Sequence, residues 1–328
     1  MDTTMVARLA VCAAIVCLLS ADWAIAAKKK KPKKEPPEVT QVLDLPKDPP
    51  QAVAAPADRL VFHVSPLSNK GLLSPQIRDG VKALWNSAKG AQIVKIRAFV
   101  AGSGDMRRVP MIVSDMFSDK KLPIPAVSVI QVGSLPMDGA QVVLESIAVD
   151  KKVVNPNGVV FLPGFKPGNA GVEPRAITCF MNSLDKAADL RTKFATAYPK
   201  AVSNFVQLRR DTFGDAYECE AIAAAQPGQG VTGKIAITGT QLAFGSGEDD
   251  SRLAFQRLEK ALTPVGGKLT DTVWVQFYPL SGKAAESIRK IQYDFFQKKK
   301  TPASKLLVFE GLPSMDAQFG LEVITESN

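Results

Sequence analysis

Residues 135–145 read LPMDGAQVVLE, and residues 312–322 read LPSMDAQFGLE. The Leu-Pro, Ala-Gln and Leu-Glu pairs keep the same spacing in both places. Upstream, Pro125-Ala126 recurs in the same register as Pro302-Ala303, and Phe99 is matched with Phe277 one position away from it. Chance rarely preserves a register over so long a stretch, so the pattern predicts a duplicated unit.

A third, shorter copy lies between these two. Its matches to the first copy are, in order, Phe180 with Phe99, Ala201-Val202-Ser203 with Ala126-Val127-Ser128, and Glu220–Ala223 with Glu145–Ala148. The segment between Phe161–Gly164 and the strand predicted at Ala176–Met181 is too short for a helix and its connections. We therefore predict a full module at 58–150, a truncated module at 151–230 and a second full module at 231–328.

Each full copy follows the same predicted order of elements. In the first copy, Ile77, Val81, Leu84 and Trp85 lie on one face of a helix, a β-rich run covers 93–100, and a second amphipathic helix spans Val109–Phe117. Strands follow at 127–132 and 141–149, and the last copy repeats the plan after a hairpin predicted at 234–244. This order predicts an α+β fold, with a mixed sheet and two helices on one face. Because the other face is also apolar, we expect the sheets to pack on one another.

The N-terminal 57 residues differ in composition from the rest. Residues 1–26 combine Arg8, an apolar stretch and the small-x-small pattern Ala24-Ile25-Ala26, which predicts a cleaved signal peptide and a periplasmic or secreted protein. The apolar stretch is too short for a membrane span; an uncleaved anchor is the alternative, against which Asp22 and Trp23 argue. Residues 27–57 are rich in Lys and Pro, so we expect a disordered tether. Much of the net charge of +9 lies in this segment and is weak evidence for a polyanionic partner.

Several strings resemble the RidA (YjgF-like) family, and the likeness extends from about residue 58 to the C-terminus. They are Pro125-Ala126, Leu135-Pro136, the ECEAIA string at 218–223 and the ITGTQ string at 237–241. Family members are typically homotrimers whose sheets form a central barrel, with ligand pockets between subunits. The resemblance therefore implies a monomer that imitates such a trimer, with its three modules packed as an intramolecular pseudo-trimer.

The same resemblance implies an activity that this sequence departs from. Typical members hydrolyse enamines and imines to ketoacids and ammonia, and use an arginine directly after Pro-Ala to hold the substrate carboxylate bidentately. That position holds Val127, Val202 and Ser304 in the three copies. The family's glutamate partner survives as Glu218, while Val143 and Gly320 occupy the equivalent positions. We therefore expect ordinary deaminase activity to be absent.

Two hypotheses about function follow. The first is a protein without the family activity that binds a small metabolite or a protein partner at the interfaces between modules. The alternative is a divergent hydrolase that uses Glu218 with a relocated basic residue, Arg209 or Lys305, because these lie beside the strand that normally carries the arginine. No cofactor is expected. Nucleic acid is not expected either, since no basic strand carries the aromatic residues that stack on bases.

The remaining candidates are two cysteines, one histidine, a glycine-rich pattern and an acidic segment. Cys179 and Cys219 fall on strands that are neighbours in a RidA-like sheet, so either a disulfide or two buried thiols is open. His63 is the single histidine, which excludes a multi-histidine metal site. The GxGxxG pattern at 228–233 precedes a strand instead of the helix that a phosphate site needs, and Glu248 to Asp250 form an acidic helix start.

Overall fold

The fold is described from a computed structural model, for residues 47–168, 171–210, 216–296 and 302–327 apart from the side chains of Ala303 and Lys305. The predicted signal peptide and all but the last part of the tether lie outside these residues. The first group of elements is β1 (Ala52–Pro56), β2 (Leu60–Val64), α1 (Leu73–Ala88), β3 (Gln92–Ala101), α2 (Arg108–Asp119), β4 (Ala126–Val132) and β5 (Val142–Val149). The second is β6 (Val159–Phe165), β7 (Glu173–Met181), α3 (Ala187–Ala197), β8 (Val202–Gln207) and β9 (Tyr217–Ala224). The third is β10 (Lys234–Thr238), β11 (Gln241–Ala243), α4 (Glu248–Leu262), β12 (Gly267–Pro279), α5 (Gly282–Phe295), β13 (Ala303–Leu306) and β14 (Phe319–Ser327).

The strands form three mixed sheets with one common arrangement. Sheet 1 has the order β2-β5-β3-β4, sheet 2 the order β6-β9-β7-β8, and sheet 3 the order β10-β14-β12-β13 with β1 added at the β10 edge. Each sheet contains one parallel pair, which is β3 with β4, β7 with β8, or β12 with β13. The other pairs are antiparallel. The chain is therefore an α+β protein with mixed sheets.

The helices cover one face of each sheet. In sheet 1, apolar residues of α1 and α2 that recur at helical spacing pack on the β3 residues Ile96, Ala98 and Val100. The helix α1 ends where Lys89 and Gly90 both adopt positive φ, which terminates the helical hydrogen-bonding pattern. In sheet 2, apolar residues of the single helix α3 pack on the sheet in the same way. In sheet 3, the two helices α4 and α5 do so.

The opposite faces of the three sheets contribute to two shared apolar clusters. The upper cluster contains Phe99 from sheet 1, Phe180 from sheet 2 and Tyr278 from sheet 3. The lower cluster is made by apolar residues from the same three sheets, including Phe62, Phe161, Ile222, Trp274 and Ile324. Side chains alternate between the two faces of a strand. Residues that lie between the two clusters, on the sheet faces away from the helices, therefore point into the space that the three sheets share. That interior is where the polar residues of the sheets meet.

Two sequence-based predictions about strands were wrong. Residues 52–56, which we assigned to the tether, form β1 and pair antiparallel with β10, because this Ala-Val-Pro run can add to an open sheet edge and its Pro56 lies at the end of the strand. Residues 234–244 do not form a hairpin, because β10 and β11 both pair with β14 as one interrupted strand. Gly239 lies at the interruption.

The match of Phe99 with Phe277 was also wrong, by one residue. Phe99 lies opposite Val143 in sheet 1, and Tyr278 lies opposite Gly320 in sheet 3. Since Val143 and Gly320 are equivalent in the repeat, Tyr278 takes the place of Phe99. Phe277 faces the helices of sheet 3 instead. A one-residue slip along a strand turns every side chain to the other face, so similarity of residue type alone cannot fix the register.

Cys179 and Cys219 form a disulfide between β7 and β9. They lie directly opposite each other, with their Cα atoms 4.1 Å apart, and both are buried beneath α3. Of the two alternatives that the sequence left open, the structure has the bridge. In the part of the chain that the structure describes, no helix combines the length and apolarity needed to cross a bilayer.

Candidate functional site in the interior polar layer

A layer of polar side chains fills the interior between the upper and lower apolar clusters; we call it the interior polar layer. Its members come from all three sheets, and nearly all are buried. They are Lys95, Arg97, Ser128 and Glu145 of sheet 1, Thr178, Asn204 and Glu220 of sheet 2, and Gln276 and Glu322 of sheet 3. Buried charges are expensive unless they are paired and hydrogen-bonded, so their partners determine what this layer can do.

The three glutamates occupy equivalent positions. Glu145 lies opposite Arg97, Glu220 opposite Thr178, and Glu322 opposite Gln276. Glu145 and Glu322 end the two repeated stretches quoted at the start, and Glu220 is their counterpart in the shorter copy. The repeat thus places one carboxylate from each sheet in the same layer.

Glu145 is held partly by residues of sheet 2. Asn204 donates through Nδ2 to Glu145 Oε1 at 2.7 Å, and Thr178 donates through Oγ1 to the same oxygen at 2.7 Å. Arg97 donates through Nε to Glu145 Oε2 at 2.8 Å. The carboxylate is therefore satisfied by its own sheet and by its neighbour together.

Glu322 of sheet 3 is held mainly by sheet 1. Lys95 Nζ lies 2.6 Å from Glu322 Oε2, and Ser128 donates to the same oxygen. Tyr278 of sheet 3 donates its hydroxyl to Glu322 Oε1 at 2.7 Å. Although burial by itself raises the pKa of Glu322, the cations of Lys95 and Arg97 lower it below its ordinary value.

Glu220 of sheet 2 completes the set. Its Oε1 lies 2.7 Å from Arg97 Nη2 of sheet 1, and Gln276 of sheet 3 donates to its other oxygen. Burial raises the pKa of Glu220 above its ordinary value, and Arg97 only partly offsets this. Although burial by itself lowers the pKa of Arg97, the carboxylates of Glu145 and Glu220 raise it well above its ordinary value. Arg97 thus remains a cation in the layer.

The positions at which the resemblance led us to expect an arginine lie on edge strands of the sheets. The backbone carbonyl oxygen of Val127 packs against Gly239 of sheet 3. A Cβ atom at position 239 would lie only 2.9 Å from that oxygen. Ser304 lies opposite Val275 and is half-buried. These positions bring no charge into the interior.

In the middle copy, the strand register moves the position expected for the arginine by one residue. Thr178 lies opposite Asn204 as Arg97 lies opposite Ser128, so Ser203, and not Val202, takes the place of Val127. Val202 instead packs against the lower apolar cluster. The error arose because the Ala-Val-Ser triplet was matched by residue type without the Pro-Ala dipeptide that anchors the other copies. The corrected position still holds a short, uncharged side chain.

The residues of the alternative hydrolase hypothesis lie on or next to three different strands, and by strand register Lys305 takes the position that Ser128 and Asn204 hold in the other sheets. Glu218 lies opposite Phe180 and is half-buried. Arg209, which follows β8, is exposed; it donates through Nη2 to Oγ of Ser134, in the segment after β4, at 2.7 Å, and its backbone N–H donates to Glu310, in the segment after β13, at 2.6 Å. Arg209 therefore joins the segments that follow one strand of each sheet. Lys305 lies opposite Gln276 by strand register.

The other candidates have structural surroundings. Burial lowers the pKa of His63, which lies on β2 opposite Ser146. A Cβ atom at Gly230 would clash with the Asn157 carbonyl oxygen, so this glycine of the GxGxxG pattern allows close packing. Glu248 pairs with Lys290 at 3.2 Å. Within the described ranges, no cluster of three or more His, Cys, Asp or Glu side chains is arranged to hold a metal ion.

Two concavities differ greatly in size and position. A cavity of about 60 Å³ lies within the interior polar layer and is lined by residues of all three sheets. A groove of about 930 Å³ lies on the helix side of sheet 1, between the ends of α1 and α2, and includes Trp85 and Lys120. The smaller cavity lies where the three sheets meet, and its lining includes Val202 but neither Val127 nor Ser304.

Sequence reasoning missed the interior polar layer. Lys95 and Arg97 lie in the run 93–100, which we interpreted only as a strand, and Glu145 and Glu322 served only as markers of the repeat. The available signal was the pair of cations two residues apart in an otherwise apolar strand, because that spacing puts both on one face. Their partners come from other sheets, so the pairing itself was not visible in the sequence.

No family model matches the chain, and no curated protein sequence matches it. The solved structures that it resembles include a chorismatase, at 11% identity and a TM-score of 0.45, with 82% of this chain and 75% of that chain covered. The YjgF gene product from E. coli is 24% identical with a TM-score of 0.24, and covers 32% of this chain and 94% of its own. A member of the YjgF/YER057c/UK114 family from Mycobacterium tuberculosis is 18% identical with a TM-score of 0.26, and covers 28% of this chain and 77% of its own. At these identities and TM-scores the likenesses assign no activity to the chain.

Removing the Arg97 guanidinium tests the energetic role of the layer. Arg97→Met should lower the free energy of unfolding by ~3–5 kcal/mol, because it leaves the carboxylates of Glu145 and Glu220 buried without their cation. The measurement is equilibrium denaturation in guanidinium chloride. Arg107→Met is the matched control; Arg107 pairs with Asp105 at the surface, where solvent screens the pair, and its loss should leave the free energy of unfolding almost unchanged. Equal effects of the two substitutions would contradict the assignment.

Proposed function

We propose that this chain is a divergent RidA-like protein of the cell envelope that binds a small metabolite or a protein partner and does not hydrolyse imines. In this proposal its three modules form an intramolecular pseudo-trimer. The single observation that carries the proposal is the distribution of charge. Short, uncharged side chains occupy the positions of the substrate-gripping arginine, and Arg97 is engaged by two carboxylates.

The arrangement of sheet edges supports the pseudo-trimer. The edge strand β4 of sheet 1 lies against β10 of sheet 3, β13 of sheet 3 lies against β6 of sheet 2, and β8 of sheet 2 lies against β2 of sheet 1. The same edge of each sheet therefore meets the opposite edge of another. A cyclic set of equivalent contacts is what three subunits of a closed trimer make.

The contacts of Arg97 argue against imine hydrolysis through this residue. A guanidinium that grips a substrate carboxylate needs free donors in a fork. In Arg97, Nε donates to Glu145, and Nη2 lies 2.7 Å from both Glu145 and Glu220. An anionic substrate would have to displace these carboxylates. The same contacts are compatible with binding of a molecule that leaves the ion pairs intact.

The assay for this proposal uses an amino-acid oxidase to generate imines in situ. With this chain added, the rate of imine hydrolysis should equal that of the oxidase reaction alone, because Arg97, whose Nε and Nη2 are engaged by carboxylates, has no free pair of donors to hold the substrate carboxylate bidentately. An arginine-bearing RidA protein is the positive control. Turnover comparable to that control would overturn the proposal.

Export is tested on protein expressed with its own N-terminus. We expect an envelope fraction in which the mature chain begins at Ala27, because cleavage follows Ala24-Ile25-Ala26. Denatured chains should release two more thiols with reductant than without it, since Cys179 and Cys219 are bridged. Retention of residues 1–26 would contradict cleavage, and an unchanged thiol number would contradict the bridge.

A further inference from the structure

Several residues that line the cavity in the interior polar layer carry buried polar atoms with no hydrogen-bond partner among the described residues. They include two N–H donors, Nη1 of Arg97 and Nε1 of Trp274, together with Oγ of Ser146 and Nε2 of His63. The Arg97 side chain is 9% exposed, and Trp274 is 7% exposed. Native proteins leave few buried polar atoms unpaired, so two such donors on one cavity require an explanation. A guest that accepts hydrogen bonds from both would supply it.

An acceptor lines the same cavity. Glu220 Oε1 is ion-paired with Arg97 Nη2 but accepts no well-directed hydrogen bond from a described residue. A carboxylate oxygen has capacity for more than one donor. The cavity therefore offers both N–H donors and an acceptor oxygen to a small guest.

The lining of the cavity carries charges of both signs, so an ion of either sign would lie close to groups of its own sign. Glu145, Glu220 and Glu322 surround the layer, so an added anion would face carboxylates. An added cation would face Arg97 and Lys95. A neutral molecule avoids both costs and leaves the ion pairs of the layer intact.

The volume limits the guest to a few atoms. A buried water needs ~10–15 Å³ of such space, so a cavity of about 60 Å³ has room for roughly four groups of water size. Pockets for drug-sized ligands are several times larger. Val64 of sheet 1 and Val202 of sheet 2 also line the cavity and are partly exposed, and β2 lies against β8, so the seam between sheets 1 and 2 is the side for entry.

We propose that the interior polar layer binds a small neutral amide-type molecule, of the size of acetamide or urea. Its carbonyl oxygen accepts from Arg97 Nη1 and Trp274 Nε1, and its N–H group donates to Glu220 Oε1. This inference rests on the proposed binding function and names its ligand class. It can fail by itself, because a null result with these probes does not alter the outcome of the imine assay.

The experiment follows the indole N–H signals of the ¹⁵N-labelled full chain during titration with acetamide. The sequence contains three tryptophans, so few signals need to be resolved. Trp274→Phe identifies the Trp274 signal by its disappearance and keeps an aromatic ring beside Phe161, on which Trp274 stacks at 5.3 Å. We expect the Trp274 signal to shift saturably.

Trp85 provides the matched control. Its Nε1 is also buried without a partner, but it lines the groove on the helix side of sheet 1. Its signal should not shift with acetamide, and Trp85→Phe should leave the acetamide affinity unchanged. Acetate, which has the same size and a negative charge, should bind at least tenfold more weakly.

Three results would overturn the proposal. Absence of a saturable shift at Trp274 would mean that the cavity holds water alone. Equal shifts at Trp85 and Trp274 would indicate a non-specific solvent effect. Equal affinity for acetate and acetamide would show that the neutral, donor-bearing character of the guest is irrelevant.

Discussion

The three buried glutamates, Glu145, Glu220 and Glu322, impose the constraint on which the interior depends. Each lies at the same register position of its own sheet, and each receives hydrogen bonds or ion pairs from another sheet. A buried carboxylate without partners costs several kcal/mol, so no sheet can keep its glutamate ionised and buried alone. The layer therefore couples the folding of the three sheets.

The partners differ from one glutamate to the next, and this difference gives each sheet its own role. At the position opposite the glutamate, the sheets carry Arg97, Thr178 and Gln276. A symmetric trimer would present the same residue three times, whereas one chain can present an arginine, a hydroxyl and an amide. Because β3 alone supplies both described cations of the layer, sheet 1 cannot exchange places with another sheet. This asymmetry is also what leaves a cavity with unpaired donors beside Arg97.

The sequence predicted the parts of the fold that depend on local periodicity. The apolar spacing in α1 and α2 was sufficient for these helices, and the order of elements was sufficient for an α+β fold with mixed sheets. It did not predict register, because Phe277 and Tyr278 are both aromatic and a shift by one residue reverses the faces. It also missed β1, since the strand forms only where β10 offers an open edge.

The candidate site was less accessible to prediction than the fold. Sequence resemblance directed attention to the positions of a lost arginine, Val127, Val202 and Ser304, while the charged residues of the interior come from elsewhere. Lys95 and Arg97 are visible as charges in an apolar strand, but their partners are far apart in sequence and meet only when three sheets pack. Long-range polar networks of this kind carry no local pattern.

A double-mutant cycle on Asn204→Ala and Glu145→Ala measures the coupling across sheets most directly. These residues belong to different sheets and are joined by one hydrogen bond of 2.7 Å. If the glutamates hold the sheets together, the coupling energy from equilibrium unfolding should be ~1.5–3 kcal/mol, the range for hydrogen bonds to charged groups. Additivity of the two single substitutions within ~0.5 kcal/mol would contradict the account.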